Sequence, residues 1–143
     1  VQIRSLSEQE IEMLITHEMD YAVRTVRALY RNGQLSAPAI AEAENMPNAV
    51  TYKVIKKLLA ADILESRRGM NGGYFLKVSC DTLTLYDLFH ALGEDLVLTE
   101  CLDADYPCPN NKNGECRSHR EFSRIQKVME KELRRTPLSE LFT

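Results

Sequence analysis

NAVTYKVIKKLLAADILESRRGMNGGYFLKV, residues 48–78, is the stretch from which the rest of the chain can be read. Its first half puts Val54, Ile55, Leu58 and Leu59 on one helical face and Thr51, Lys53, Lys56 and Lys57 mostly on the other. The spacing predicts an amphipathic helix from Ala49 to about Ala61. In the second half, Ile63–Ser66 and Gly73–Val78 read as short strands, and the Arg-Arg-Gly-Met-Asn-Gly segment between them is basic and glycine-rich. Upstream, Ser36 caps a shorter helix with Pro38 in its first turn, and Asn45-Met46-Pro47-Asn48 ends it. Two short helices joined by a tight turn, the second basic outside and followed by a basic hairpin, predict a winged helix-turn-helix.

Working outward, an earlier helix is expected over Glu18 to Asn32, with Met19, Ala22, Val23, Val26 and Leu29 at helical spacing and Gly33 as its C-cap. Thr84 caps a helix from Leu85 to Leu92. Arg117 to Arg135 carries Phe122, Ile125, Val128, Met129 and Leu133 along one stripe, with little chain left to bury it, so this long helix is expected to pair with a second subunit. A last helical turn follows Pro137 and ends near Phe142. The expected class is mainly α with a small β-wing. Residues 1–12 form an acidic extension, native or left by cloning, in which Ser7 and Glu10 suit a capping box; 13–93 form the winged head, 94–116 a cysteine-bearing loop, and 117–143 the dimerisation helix and tail.

A chain of 143 residues is long enough to bury one core without disulfides. It contains no apolar run long enough for a membrane span and no leader pattern, so the expected compartment is the cytoplasm, where thiols stay reduced. The net charge of −3 argues weakly against a nucleic-acid partner, yet binding follows the local field. Between residues 48 and 77, Lys53, Lys56, Lys57, Arg67, Arg68 and Lys77 face only Asp62 and Glu65. Lys53, Lys56, Arg67 and Arg68 are the expected phosphate contacts on double-stranded DNA. Asn48, Thr51 and Tyr52 lie where base edges can be reached, and Asn71 and Tyr74 belong to the wing's share of the interface. No nucleophile–base pair, nucleotide-binding glycine loop or paired carboxylates appear, which argues against an enzyme.

Cys101, Cys108 and Cys116 punctuate a segment too rich in Pro, Asn and Gly to be core, and His119 lies three residues further on. Three thiolates and an imidazole form a transition-metal ligand set, and Cys116 and His119 can share one helix face. An iron–sulfur cluster, a structural zinc ion, a redox switch closing between Cys101 and Cys108, and a disulfide with a spare thiol all remain open on spacing alone. Cys80, alone after the wing, reads as a buried thiol.

The run Met13-Leu-Ile-Thr-His-Glu-Met-Asp-Tyr-Ala-Val-Arg24, the run Ile55–Leu64, and above all Arg68-Gly-Met-Asn-Gly-Gly-Tyr74 resemble the Rrf2 family of bacterial winged-helix regulators, over about Met13 to Phe142. The three cysteines resemble those of its cluster-binding, IscR-, NsrR- and RirA-like branch. The resemblance implies a homodimer with crossing C-terminal helices that reads a palindromic operator, acting as a repressor. It further implies a two-iron or four-iron cluster on Cys101, Cys108 and Cys116 that senses iron, nitric oxide or redox state. Two fourth ligands are implied: His119, and Asp20 reaching from the other subunit; His17 is a weaker candidate. The intervals of six and seven residues between the cysteines are longer than the family's usual spacing.

Overall fold

The computed structural model describes residues 13–94, 96–111 and 114–143; the Ser7 cap with Glu10 lies outside them. Helix α1, His17–Asn32, is followed by a two-residue strand β1, Gln34–Leu35. Helices α2, Ala37–Ala43, and α3, Asn48–Ala60, form the helix-turn-helix, and strands β2, Leu64–Arg67, and β3, Gly73–Leu76, form the wing. Helix α4, Leu85–Ala91, leads into a loop with 3-10 turns at Glu100–Leu102 and Pro109–Asn111; α5, Arg117–Leu133, and α6, Leu138–Phe142, complete the chain.

Local chemistry accounts for most of these boundaries. Thr16 and Ser36 cap α1 and α2 by accepting from the amides of Met19 and Ala39, and Thr84 and Asp87 form a capping box at α4. The α2–α3 turn depends on Asn45, whose φ of +53° lies in the left-handed region that asparagine tolerates better than most residues. That turn brings the Met46 amide 2.8 Å from the Ala41 carbonyl.

Met19, Ala22, Val26 and Leu29 of α1 pack with Ile40 of α2, Val54, Ile55 and Leu58 of α3, and Leu88 and Phe89 of α4 in one core. Burying side chains of this size is worth roughly 1.5–3 kcal/mol each, which makes this cluster the main support of the head. The C-terminal segment joins it. Leu138 and Phe142 are buried, the Leu138 amide donates to the Leu83 carbonyl at 2.8 Å, and the Ser139 amide to that of Cys80 at 3.1 Å. The tail after α5 therefore returns to the head, whereas the sequence grouped it with the dimerisation helix.

The sheet is antiparallel in the order β1-β3-β2. Strand β1 was not expected from sequence: it pairs Gln34 with Phe75 and Leu35 with Tyr74, turning the two-stranded wing into a three-stranded sheet. Two residues between a glycine C-cap and a serine N-cap are too few to show alternation. Helix α5 differs from every other long element in burying no residue. It is anchored near its end, where the Arg134 guanidinium sits 3.6 Å from the centre of the Tyr86 ring.

Candidate DNA interface and cysteine site

The N-terminus of α2, the outer face of α3 and the wing surround a depression of about 450 Å³, lined by Ser36, Pro38, Tyr52, Arg67, Arg68 and Tyr74 among others. Asn48, Tyr52, Lys53 and Lys56 are exposed on α3, and Arg67, Arg68 and Asn71 on the wing, while Tyr74 is half-buried. Of the nine expected contact residues, Tyr52, Arg67, Arg68 and Tyr74 thus line one depression, and Asn48, Lys53, Lys56 and Asn71 are exposed on the same helix and wing.

Thr51 is the exception. It is fully buried and its hydroxyl donates to the Pro47 carbonyl at 2.9 Å, so the expected outward placement is corrected. A β-branched residue one turn into the helix satisfies its hydroxyl on the preceding turn and buries its methyl. Lys57 is also less outward than expected: its ammonium stands 2.7 Å from Glu18 and 3.3 Å from the Leu92 carbonyl, tying α3 to α1 and to the end of α4.

The remaining positive charge is unevenly committed. Lys77 pairs with Asp62 at 3.1 Å, and Lys53 lies 3.8 Å from Glu18, a long and exposed contact that holds the side chain weakly. Among the described residues, no carboxylate lies within 4 Å of the charged ends of Lys56, Arg67 or Arg68. The Arg67 guanidinium sits 5.1 Å from the Phe75 ring centre, which orients it along the wing.

The wing is built stiff. The Gly72 amide donates to the Gly69 carbonyl at 2.9 Å, and Gly69 has a φ of +101°. A Cβ at Gly72 would stand 2.5 Å from the Arg67 carbonyl oxygen, so no side chain fits there without moving backbone. The Gln34 side-chain carboxamide donates from β1 to the Asn71 carbonyl and clamps the loop from the side.

The helix-turn-helix is braced from behind. Glu44, at the end of α2, is buried and receives Arg27 Nε at 3.0 Å together with Arg27 Nη2, while Arg24 donates to the Glu44 carbonyl at 3.3 Å. The hydrogen-bonded Glu44 carboxylate holds the Arg27 guanidinium above the usual arginine range. Sequence reading missed this brace, since two residues seventeen apart carry no periodic signal.

In the loop before α5, Cys101 lies in the first 3-10 turn, Cys108 just before the second, and Cys116 at the N-cap of α5, where its sulfur accepts from the His119 amide at 3.5 Å. All three thiols are free and half-buried. Asn111 links two of them, donating from its amide to the Cys108 carbonyl at 3.2 Å and accepting from the Cys116 amide at 3.0 Å. His119 Nδ1 is a buried atom with no hydrogen-bond partner. Among the described residues, no three His, Cys, Asp or Glu side chains converge closely enough to hold a metal ion. Three unpaired thiols and an orphaned imidazole nitrogen nevertheless suit an iron–sulfur cluster or zinc chemically, and gathering them requires the loop to draw inward.

The expected carboxylate ligand is engaged elsewhere: Asp20 on α1 pairs with Arg24 at 2.9 Å and is about half exposed. His17, also on α1, is exposed. Cys80 is buried, and burial pushes its thiol from the ordinary 9.0 up to about 11, so it is protonated and inert at neutral pH. The root of the loop is held by Gln126 of α5, whose carboxamide donates to the Leu96 carbonyl at 2.6 Å and accepts from the Leu98 amide at 2.9 Å. Thr16 donates to Glu94 at 2.8 Å, so the cap of α1 is tied to the segment that enters this loop.

A helix-turn-helix with a basic wing is an architecture of DNA-binding transcription regulators. The chain belongs to the Rrf2 family, described as iron-dependent transcriptional regulator, whose model matches residues 15–143. It is 30% identical over 100 residues to protein aau3 of Rhizobium meliloti, a match covering 68% of this chain and 65% of that protein's own length. A candidate transcriptional regulator of Listeria innocua has a solved structure that is similar at a TM-score of 0.70 and 27% identity, over 89% of this chain and 84% of that one. The structure of T. potens IscR shares the fold at a TM-score of 0.66 and 19% identity, over 92% of this chain and 87% of IscR. No helix among the described residues is long and apolar enough to cross a membrane.

Proposed function

We propose that this transcription regulator is a cytoplasmic homodimeric repressor that binds a palindromic operator, with an iron–sulfur cluster on Cys101, Cys108 and Cys116 setting its affinity. The observation that carries the cluster reading is the set of three free, half-buried thiols leading into α5 beside the unpartnered Nδ1 of His119. His119 in the same chain and Asp20 from the second subunit are the competing fourth ligands; Asp20 has to leave Arg24 to serve. When bound, the cluster supplies a centre whose loss or oxidation registers iron, nitric oxide or redox state.

The protein's own part is positional. Drawing Cys101 and Cys108 toward Cys116 pulls on the Leu96–Leu98 segment that Gln126 pins to α5, and through Glu94 on the cap of α1. The angle between α5 and the head then sets the separation of the two recognition helices α3 in the dimer, hence the match to two half-sites. Homodimerisation is supported by Phe122, Ile125 and Val128, which stand 41, 38 and 51% exposed on one face of α5.

The test is the visible spectrum, with iron and sulfide content, of protein purified without oxygen, followed by operator titration before and after cluster loss. Brown protein with iron and sulfide whose DNA affinity changes on cluster loss is the expected result. Colourless protein with stoichiometric zinc, or thiols that only oxidise, replaces the cluster with one of those two chemistries.

A further inference from the structure

Met70 stands at the apex of the wing and is 104% exposed, whereas Leu14, the next most exposed large apolar side chain among the described residues, reaches 61%. A tip this exposed usually carries a polar residue. Here the backbone under the methionine is also fixed from three sides. The Gly69–Gly72 bond closes the turn, the packed position of Gly72 excludes any other residue, and the Gln34 side-chain carboxamide holds the Asn71 carbonyl. At the base, Gly73 passes close enough to β1 that a Cβ would meet the Leu35 carbonyl oxygen at 2.8 Å. An apolar side chain is therefore presented on a stiff support, with little backbone freedom left to lose when it is covered.

Its surroundings select the covering surface. Arg67 and Arg68 precede it by three and two residues, without acidic partners among the described residues. One methionine following two arginines is too small an apolar patch for a protein partner. It suits the DNA minor groove, where narrow A·T tracts attract arginine and sugar C–H groups form apolar walls. At A·T pairs the groove floor lacks the guanine amino group, leaving room for a flexible thioether.

Resting on the DNA-binding reading above, we infer that Met70 is a specificity-determining contact that enters the minor groove beside the half-site read by α3 and favours A·T pairs there. The residues of α3 then read base edges in the major groove, while Met70 reads groove shape at the flank.

The experiment is selection from a random duplex library with the full chain, then titration of the selected duplex with wild type, M70A and M70L. Met70 makes no packing contact in the core, and equal thermal midpoints check that the variants fold alike. We expect A·T pairs enriched beside each half-site. M70A should bind three- to tenfold more weakly with an unchanged salt slope, M70L should stay near wild type, and reselection with M70A should lose the flanking A·T preference. Unchanged affinity and unchanged flanking preference in M70A overturn the role of Met70 while leaving DNA binding intact. Equal weakening on every duplex, selected or random, also overturns it as a specificity contact. If wild type enriches no duplex at all, the DNA-binding reading falls and this inference with it.

Discussion

The winged head and the arm formed by the cysteine loop and α5 are built on opposite terms. The head's helices bury a shared apolar cluster and are cross-braced by Arg27–Glu44 and Lys57–Glu18. The arm's longest helix buries nothing, its apolar stripe faces outward, and the described parts of its loop show two 3-10 turns and three unpaired thiols. A single chain supplies the head with its core, and leaves the arm with an uncovered apolar stripe and unpaired thiols. Coupling between sites requires such an element, poised between arrangements and joined to a rigid body.

The contrast is open to direct attack. The largest effect should come from charging the outward stripe: I125E combined with V128E should convert the proposed dimer to a monomer in sedimentation equilibrium, while the head's helical signal persists. In the head, Leu58→Ala, at a fully buried position, should lower unfolding free energy by about 2–5 kcal/mol in a denaturant titration. At the joint between the two regions, Gln126→Ala removes both bonds that hold the loop root. The Leu98 amide should then exchange roughly fivefold faster, as expected for losing a hydrogen bond of about 1 kcal/mol.

Arg68→Ala should lower the slope of log affinity against log salt by about one and weaken all duplexes alike; an unchanged slope removes it from the phosphate contacts. The smallest effect concerns Cys80. Its thiol is raised in the folded head and ordinary in the unfolded chain, so the contribution is intact below pH 9 and is lost as pH climbs through about 11. At neutral pH, iodoacetamide should label the three arm thiols of the folded, cluster-free protein and spare Cys80. Rapid labelling of all four would contradict the closed packing of the head.

Legibility followed the range of the signals. Helices α1, α3 and α4 were visible because apolar spacing and capping residues lie within a few positions of one another, and Ser36 and Thr84 cap where the sequence placed them. The basic, glycine-rich wing was visible because its turn chemistry is local. Thr51 was misplaced because an outward-looking helical position says nothing about a hydroxyl folding back onto Pro47. Strand β1, the Gln34 clamp and the Gln126 staple escaped because each depends on a partner 28 to 41 residues away.

Composition and pattern by themselves determined a winged helix-turn-helix with a basic face, a three-thiol segment, and a long helix with an unspent apolar stripe. Those properties are set by residues near one another in the chain. Only the tertiary structure decided which lysines are committed to Glu18 and Asp62, that the C-terminal turn docks into the head, and that the wing tip is held rigidly with Met70 in the open. Charge pairing, burial and rigidity are properties of distances across the fold, and folding brings those distances into being.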